Sequence, residues 1–417
     1  MTVIKSWVPS ARGATDFPIQ NLPYGVFDDG KGPRTGVAIG DMILDVGAVD
    51  HGLDPALFRA PSWNAIMSAG PTVWSALRRK LTELLSNEAC RASVEPHLIP
   101  MTNTTLLLPF KVAEYTDFYA GKNHAFNVGS IVRGPENALP PNWLSIPIGY
   151  NGRASSVVVS GTPVRRPWGQ LKGPDDALPR FAPSARFDFE LEMGAIIGQP
   201  SDGMVSVAEA DQMIFGYVLL NDWSARDIQA WEYQPLGPFQ AKATATTLSP
   251  WIISREALNP FRVATPERER PLLPYLNEPT PMLYDIELEV ALAPDGEPET
   301  VITRTNYREM YYAAAQQLAH HTTSGCPMRV GDLLGSGTIS GSTRESRGSL
   351  LELSWGGREP LTLQNGEERR FLDDGDSVVL RGAAKGEGYR IGFGECVGTV
   401  LPAIELPDWA KEQGQKP

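Results

Sequence analysis

The chain has few cysteines: 3 in 417 residues, at Cys90, Cys326 and Cys396. They are widely spaced, and no Cys-X-X-Cys pair or Cys/His cluster accompanies them. The sequence therefore predicts neither a disulfide framework nor a zinc site. Two other motifs are missing, the Gly-X-Ser-X-Gly nucleophile elbow and the dinucleotide-binding Gly-X-Gly-X-X-Gly, which argues against those two classes of enzyme.

Positive charge is also scarce, because 37 basic residues face 49 acidic ones and leave a net charge of -12. Non-specific binding to nucleic acid or to anionic membranes needs a basic face, so we expect neither partner. No apolar run approaches the ~18 residues that span a bilayer, and Met1–Pro9 has no apolar core of a signal peptide. We expect a reduced, cytoplasmic location.

The residues that are present are those of a folded protein, with 42% hydrophobic and 21% charged side chains. A chain of 417 residues is too long for one ordinary core, so two domains are expected. The 40 glycines and 36 prolines predict many turns and long ordered loops, as in β-rich folds.

The periodicity of apolar residues predicts a mainly β protein with a few helices. Thr35–Ile39 and Met42–Val46 flank Gly40-Asp41 as a hairpin, and residues 72–88 have helical spacing. Tyr115–Pro183 reads as a long ordered loop of the functional kind. Further on, the patterns predict a helix over 305–321 and the strands Ser156–Val159, Phe187–Ile197, Ile214–Leu220, Tyr284–Leu292, Ser349–Trp355 and Ser377–Arg381.

Acidic residues alternate with apolar ones from Arg186 to Gly194. In a strand, Asp188, Glu190 and Glu192 would share one face, roughly 7 Å apart. Carboxylates at that spacing repel one another unless water or a cation neutralises them. The pattern fits either a solvated acidic face on an edge strand or a cation site.

Two further acids favour the cation site. Asp222 directly follows an apolar strand, and Asp117 stands at the head of the long loop. Oxygen ligands without a Cys or His cluster suit a hard cation, Ca²⁺ or Mg²⁺. A helix N-cap for Asp222 and a turn for Asp117 remain equally open.

Cationic and amide side chains follow Asp222. Arg226, Gln229 and Tyr233 fall on one face of a predicted helix, and Lys242 stands among small residues. An Arg fork and a Gln amide suit carboxylates and enolates. The alternatives are a solvent-facing polar stripe and a surface lysine.

His124 is the most suggestive of the 5 histidines. It lies in the loop after Asp117, where an imidazole can take a proton from water near neutral pH. Glu352, on an otherwise apolar predicted strand, is a candidate to orient it. The alternative is a histidine that only structures the loop, whereas His320 and His321 close a helix and are interpreted as structural.

Together these segments resemble the fumarylacetoacetase family over about residues 17 to 402. The paired acids and the Asn221–Asp227 run are shared with the wider superfamily, whereas the His124 loop and the long N-terminal section favour this branch. The resemblance rests on Phe17–Phe27, Asp117–His124, Asn142–Leu144, Gly149–Ser156, Phe189–Met193, Asn221–Gln229, Trp231–Tyr233, Leu236–Phe239, Gly337–Gly341 and Gly388–Gly394.

The resemblance implies a small SH3-like β-barrel domain at residues 1–112, a larger C-terminal catalytic β-roll domain at 113–417, and a homodimer. It assigns His124 as general base, oriented by Glu352. It assigns the divalent cation, Ca²⁺ or Mg²⁺, to Asp117, Glu190, Glu192, Asp222, Lys242 and Thr246. It assigns substrate contacts to Tyr119, Arg133, Tyr150, Gln229, Tyr233 and Thr338. One departure is that Ala241 and Ala243 flank Lys242, where the family often has Gly and Ser.

The activity implied by the resemblance is hydrolysis of the C–C bond of a small β-diketo acid, 4-fumarylacetoacetate, to fumarate and acetoacetate. The cation with Lys242, Arg226 and Gln229 would stabilise the carbanion that leaves. Within the superfamily the alternative is an acylpyruvate hydrolase, or a decarboxylase or hydratase of 2-oxo acids. A cation-stabilised scaffold would explain the acids but leave His124, Lys242 and Arg226 without a role.

Overall fold

The structure is a computed structural model that describes residues 4–411. Within that range no helix is both long enough and apolar enough to cross a membrane. The α-helices are α1 Asn64–Ser68, α2 Pro71–Ser86, α3 Arg91–Val94, α4 Lys122–Arg133, α5 Val207–Met213, α6 Arg226–Glu232, α7 Arg255–Leu258, α8 Ala314–His321, α9 Leu350–Leu353 and α10 Asp408–Lys411.

An antiparallel five-stranded sheet forms the N-terminal section, in the order β4-β3-β2-β1-β5. Its strands are β1 Tyr24–Asp28, β2 Arg34–Ile39, β3 Met42–Asp45, β4 Leu98–Pro100 and β5 Thr105–Leu107. The predicted hairpin is confirmed, since Ile39 pairs with Met42 around Gly40, whose φ is 60°. Glycine adopts that left-handed conformation without the strain that a side chain would add.

The amphipathic helix predicted over 72–88 is confirmed as α2. Pro71 occupies its first turn, where a missing N–H costs nothing. Its apolar face, which includes Leu77, Leu81 and Leu85, is buried in the core next to the N-terminal sheet.

The described residues after this section build four two-stranded sheets, which pair β10 with β11, β12 with β15, β18 with β19 and β23 with β24, and two larger sheets. One has eight strands, with the path β7-β6-β22-β13-β14-β16-β8 and β17 also paired to β14, and the other has the order β21-β20-β25-β26-β9. The strands are β6 Tyr115–Phe118, β7 Gly149–Asn151, β8 Val157–Val159, β9 Val164–Arg165, β10 Trp168–Leu171, β11 Arg180–Pro183, β12 Phe187–Asp188, β13 Leu191–Ile197, β14 Ile214–Asp222, β15 Ser224–Ala225, β16 Thr246–Leu248, β17 Ile253–Ser254, β18 Arg262–Val263, β19 Leu283–Tyr284, β20 Glu287–Ala293, β21 Thr300–Asn306, β22 Leu333–Gly335, β23 Leu361–Thr362, β24 Glu368–Arg369, β25 Ser377–Gly386 and β26 Tyr389–Leu401.

The eight-stranded sheet is covered on both faces, which explains why β14 is buried at every position. Val218 and Leu220 belong to the core shared with the N-terminal section. Tyr217 and Leu219, on the opposite face, belong to the core shared with the five-stranded C-terminal sheet. Polar side chains at the ends of β13 and β14 are therefore held in a buried setting.

The predicted fold class is confirmed: the chain is mainly β with a few helices, and a small N-terminal β section precedes a larger C-terminal one. The division at residues 112 and 113 stays a prediction. The predicted strands at Ile214–Leu220 and Ser377–Arg381 are present as β14 and β25.

Three predictions of local structure were wrong. Ser349–Trp355 is not a strand, because Leu350–Leu353 forms the single-turn helix α9. The predicted loop after Asp117 contains helix α4. The helix expected over 305–321 is confined to α8, since the N–H groups of Tyr311 and Tyr312 bond to Ala120 O.

Candidate active site

The pairing of four strands brings three acids together. Strand β13 pairs with β14 on one side and with β22 on the other, and β22 pairs in parallel with β6. Asp117 in β6, Glu192 in β13 and Asp222 at the end of β14 consequently offer carboxylate oxygens that lie within 4.8 Å of one another. We call these three residues the acid cluster.

The acid cluster fits a divalent cation. Each member is buried, and each keeps one oxygen without a hydrogen-bond partner among the described residues: Asp117 Oδ1, Glu192 Oε1 and Asp222 Oδ1. Burial and mutual repulsion raise the pKa of Glu192 and of Asp222 well above their ordinary values. Buried carboxylates with idle oxygens need a cation or protons, and a hard cation supplies what is missing.

Gly335 leaves room for the acid cluster. A Cβ at this position would lie 2.6 Å from Asp117 Oδ1 and 3.0 Å from Glu192 Oε2. We therefore expect Gly335→Ala to displace the carboxylates and weaken Ca²⁺ binding, measured by calorimetric titration. Gly13→Ala is the control because a Cβ there meets no atom within 4 Å. Equal Ca²⁺ affinity in both variants would contradict this reading of Gly335.

Glu190 lies beside the acid cluster but is paired with cations of the chain itself. Its Oε2 is 2.5 Å from Lys242 Nζ, and its Oε1 is 2.7 Å from a terminal nitrogen of Arg226. Burial acts to raise the pKa of Glu190, but the adjacent Lys242, Arg226 and His124 outweigh it and lower that pKa. Glu190 is therefore a carboxylate held ionised between two positive side chains.

Lys242 is not on the surface. It ends the 3₁₀ turn Gln240–Lys242 and is buried, and its Nζ also bonds to Asp222 Oδ2. Two carboxylates surround this ammonium and raise its pKa despite its burial. A lysine this deep stays charged only where such partners compensate for lost hydration, so Lys242 forms part of the charged site.

His124 and Glu352 form a buried pair between helices α4 and α9. His124 Nδ1 lies 2.6 Å from Glu352 Oε2, and Asn127 donates to Glu352 Oε1 at 2.9 Å. Ser340 and Ser349 each donate a hydroxyl to Glu352 Oε2, also at 2.9 Å. A carboxylate held this way accepts Nδ1–H and leaves Nε2 with its lone pair. That Nε2 lies 3.8 Å from Glu190 Oε1, at the charged site.

Arg226 opens helix α6 and is fixed by three acceptors. It bonds to Asp188 Oδ2 at 2.8 Å, to Glu190 Oε1, and to Gln229 Oε1 at 3.2 Å. Its second terminal nitrogen is buried without a hydrogen-bond partner among the described residues. That nitrogen can donate to an anionic group of a ligand.

Other predicted residues also adjoin the site. Tyr150 donates to Asp117 Oδ2 at 2.9 Å and to Asp222 Oδ2 at 3.2 Å. The ring of Tyr119 lies edge-on to His124, with centroids 5.5 Å apart. Thr246 pairs with Asp222 in the sheet, and both its hydroxyl and that of Thr338 are buried and lack partners in the described part of the chain.

Two predicted residues stand apart from the charged site. Arg133 is exposed at the end of α4 and donates to the carbonyls of Asn137 and Ala138, at 3.0 and 2.6 Å. Tyr233 follows α6 and is half-buried. Across residues 4–411 no hydrogen bond or ion pair joins either side chain to the acids.

Sequence reasoning missed Asn127, Ser340 and Ser349, the three side chains that hold Glu352. Asn127 lies three residues after His124 and would have been recognised as its neighbour had helix α4 been predicted. Sequence reasoning also missed Tyr115, whose hydroxyl is buried and has no hydrogen-bond partner among the described residues. Asp188 was noted as an acid but not as a partner of Arg226.

The chain matches two family models, "Fumarylacetoacetase N-terminal" over residues 20–109 and "Fumarylacetoacetate (FAA) hydrolase C-terminal" over 114–401. The fumarylacetoacetase of Dictyostelium discoideum is 48% identical over 97% of this chain and 99% of that protein. The human fumarylacetoacetase is 47% identical over 96% of this chain and 99% of that protein.

A solved structure, the fumarylacetoacetate hydrolase of psychrophilic Exiguobacterium antarcticum, shares the fold with a TM-score of 0.53 and 17% identity. The match covers 91% of this chain and 99% of that one. The two family models together match most of the chain, and the relatives are matched over almost their whole length. On this evidence the chain belongs to the fumarylacetoacetase family.

Proposed function

We propose that this chain hydrolyses the C–C bond of 4-fumarylacetoacetate to fumarate and acetoacetate, the last step of tyrosine and phenylalanine catabolism. The observation that carries the proposal is the His124–Glu352 pair, which presents Nε2 3.8 Å from Glu190 at the edge of a buried charged site. The high identity to fumarylacetoacetases over almost their full length supports the substrate.

His124 acts as the general base. Its Nε2 takes a proton from water, and the hydroxide attacks the ketone next to the fumaryl arm. Glu352 keeps the Nδ1–H tautomer and stabilises the imidazolium that forms, much as a buried carboxylate does in other catalytic histidine pairs. The bond to the acetoacetyl carbon then breaks and leaves a carbanion as its enolate. The enolate gains a proton at that carbon to give acetoacetate, and the imidazolium of His124 releases its proton, which regenerates the base.

Lys242, Arg226 and Gln229 stabilise that enolate. Lys242 and Arg226 are already fixed by Glu190, so little reorganisation is needed when negative charge develops. A divalent cation held by the acid cluster would supply Lewis acidity beside these side chains. The terminal nitrogen of Arg226 that has no hydrogen-bond partner within residues 4–411 is available to donate to the developing charge.

The acid cluster would hold the cation, which we propose is Ca²⁺ or Mg²⁺. The family resemblance also assigns Glu190 and Thr246 to the cation site. It assigns Lys242 to the same site, where its role is that of a nearby charge, since an ammonium group cannot be a ligand. Substrate contacts are assigned to Tyr119, Tyr150, Gln229 and Thr338 near the charged site. Arg133 and Tyr233 stand apart from that site, and their substrate contacts are proposed from the family resemblance alone.

A substrate panel with isotope labels tests the reaction. In H₂¹⁸O the mechanism predicts one ¹⁸O in the new carboxylate of fumarate and none gained by acetoacetate. In D₂O it predicts deuterium in the methyl group of acetoacetate, because the enolate is protonated there. No turnover of fumarylacetoacetate, with turnover of acylpyruvates or of 2-oxo acids instead, would contradict the proposal and favour the other superfamily activities.

We expect the cation to stabilise the fold more as pH rises. In the cation-free protein burial raises the pKa values of Asp117, Glu192 and Asp222, neighbouring carboxylates such as Glu190 raise them further, and the charge of Lys242 only partly opposes this. Raised carboxylate pKa values contribute stability at low pH that is lost as pH rises through them. The increase in Tm on adding Ca²⁺ should therefore be larger at about pH 8 than at about pH 6. An increase independent of pH would contradict this assignment of the acids.

We also propose a homodimer in the cytoplasm. Exposed apolar side chains near the site, at Leu236 and Phe239, support an interface through the C-terminal section. Sedimentation of the purified protein tests this directly, and a monomer at micromolar concentration would contradict it.

A further inference from the structure

The carboxylate of Asp188 is buried and bonds both to Arg226 and to helix α9, which carries Glu352. It accepts four hydrogen bonds: from the N–H groups of Leu350 and Phe189 to Oδ1, at 2.8 and 2.9 Å, and from the N–H of Leu351 and Nε of Arg226 to Oδ2, at 2.9 and 2.8 Å. All of its exposed surface is lost in the fold. With four donors satisfied, Asp188 has no oxygen left for a cation or a substrate.

Two of these donors belong to the helix that carries Glu352. Leu350 and Leu351 are the first residues of α9, which is a single turn of four residues. A helix this short cannot hold its own position, because it has too few internal hydrogen bonds to offset the ordering of its backbone. Asp188 satisfies the free N–H groups at its start and anchors the turn to strand β12.

Arg226 is the side-chain partner of Asp188, and its Nε donates to the same Oδ2 as the N–H of Leu351. The same guanidinium reaches Glu190 at 2.7 Å, so its position depends on both acids. The carboxylate of Asp188 thus sets the position of the Arg226 guanidinium, which faces the enolate, relative to helix α9, which carries the Glu352 that orients the base.

We infer that Asp188 is a positioning residue that aligns the Glu352–His124 pair with Arg226. This inference rests on the proposed function for its consequence in catalysis. Its structural part, that Asp188 maintains the hydrogen bond between Glu352 and His124, does not depend on which substrate is used.

The variant Asp188→Asn tests the inference. The side-chain amide of Asn has one acceptor oxygen, and its NH₂ group must face two of the four donors. The contacts of residue 188 with helix α9 and Arg226 therefore weaken, although the side chain keeps its shape. We expect kcat to fall about 100-fold, since small displacements of catalytic groups have effects of that order. KM and Ca²⁺ affinity should change little, because Asp188 touches neither ligand.

A second readout separates positioning from a general loss of stability. The short His124 Nδ1–Glu352 hydrogen bond should give a downfield proton resonance, assigned by its absence in His124→Ala. We expect Asp188→Asn to lose or broaden this resonance. The matched control is Asp211→Asn, where a buried Asp also joins two arginines, Arg255 and Arg262, at 2.9 Å but outside the site.

The outcomes are distinct. Loss of the resonance with a fall in kcat, both absent in Asp211→Asn, supports the inference. A retained resonance with unchanged kcat, or a fall in kcat explained by lost Ca²⁺ binding, overturns it. If Asp188→Asn does not fold, Asp188→Ala is measured with and without formate. Formate supplies a carboxylate and should restore the resonance. A resonance that is present without formate overturns the inference. If the unchanged protein does not hydrolyse fumarylacetoacetate, the proposed function fails while the resonance still tests Asp188.

Discussion

Replacing His124 with alanine is expected to lower kcat for fumarylacetoacetate by about 10³- to 10⁴-fold, the upper part of the range for a general base. The loss follows because Nε2 of His124 is the basic atom that Glu352 orients toward the charged site. Cation binding should persist, since His124 contributes no oxygen to the acid cluster. Steady-state kinetics at saturating Ca²⁺ or Mg²⁺ measures the effect.

His320→Ala is the matched control for this variant. His320 is also a helical histidine, half-buried where His124 is buried, and its Nδ1 lies 2.9 Å from the hydroxyl oxygen of Tyr275. It should keep ordinary turnover, because its partner lies outside the site. Normal turnover in His124→Ala would remove His124 as the base and direct attention to Glu190, whose Oε1 lies 3.8 Å from Nε2 of His124.

The second large effect is expected for Glu192→Gln, which should weaken cation binding about 100-fold or more. The amide keeps the shape of the side chain but removes one of three negative charges from the acid cluster, and hard cations depend on charged oxygen ligands. Turnover at a fixed, limiting Ca²⁺ concentration should fall in parallel. Calorimetric titration with Ca²⁺ and with Mg²⁺ checks the affinity directly.

Asp332→Asn is the control for loss of a buried acid. Asp332 is also buried, keeps one oxygen without a partner in the described residues, and has a pKa raised first by burial. It is not a member of the acid cluster, so its replacement should leave Ca²⁺ affinity unchanged. If Glu192→Gln bound Ca²⁺ as tightly as the unchanged protein, the cation would have to lie elsewhere.

The strands that carry Glu192 and Asp222 were predictable, because long apolar runs such as that of β14 fit a buried strand. Strand β6, which carries Asp117, was instead predicted to be part of a loop. What could not be predicted was whether the acids face water. That depends on the pairing of β13 with β22 and of β22 with β6, which joins segments more than a hundred residues apart. The sequence left open a solvated acidic face on an edge strand, because acids spaced two residues apart are expected both for such a face and for a buried cation site.

The position of Glu352 shows a second limit of sequence reasoning. The leucines around it fit a strand or a short helix equally well, since four residues are too few to establish a period. The choice is made by Asp188, 162 residues away from Leu350 in the chain, whose carboxylate satisfies the start of α9. Local sequence contains no trace of that contact.

Lys242 illustrates a third limit. Small residues on both sides of it were compatible with a surface lysine or with a buried one. Burial became possible because Glu190 and Asp222 converge on its ammonium group, and such compensation is visible only when the strands are assembled. The resemblance to a family assigned Lys242 to the site, whereas its spacing alone did not.

The most direct test of the account is an absorbance assay for the loss of fumarylacetoacetate, run with EDTA and then with Ca²⁺ or Mg²⁺ restored. The account predicts rapid loss that EDTA abolishes and that either cation restores, with no restoration in Glu192→Gln at the same cation concentration. Undiminished loss in EDTA would contradict the cation role of the acid cluster, and no loss with cation present would contradict the substrate.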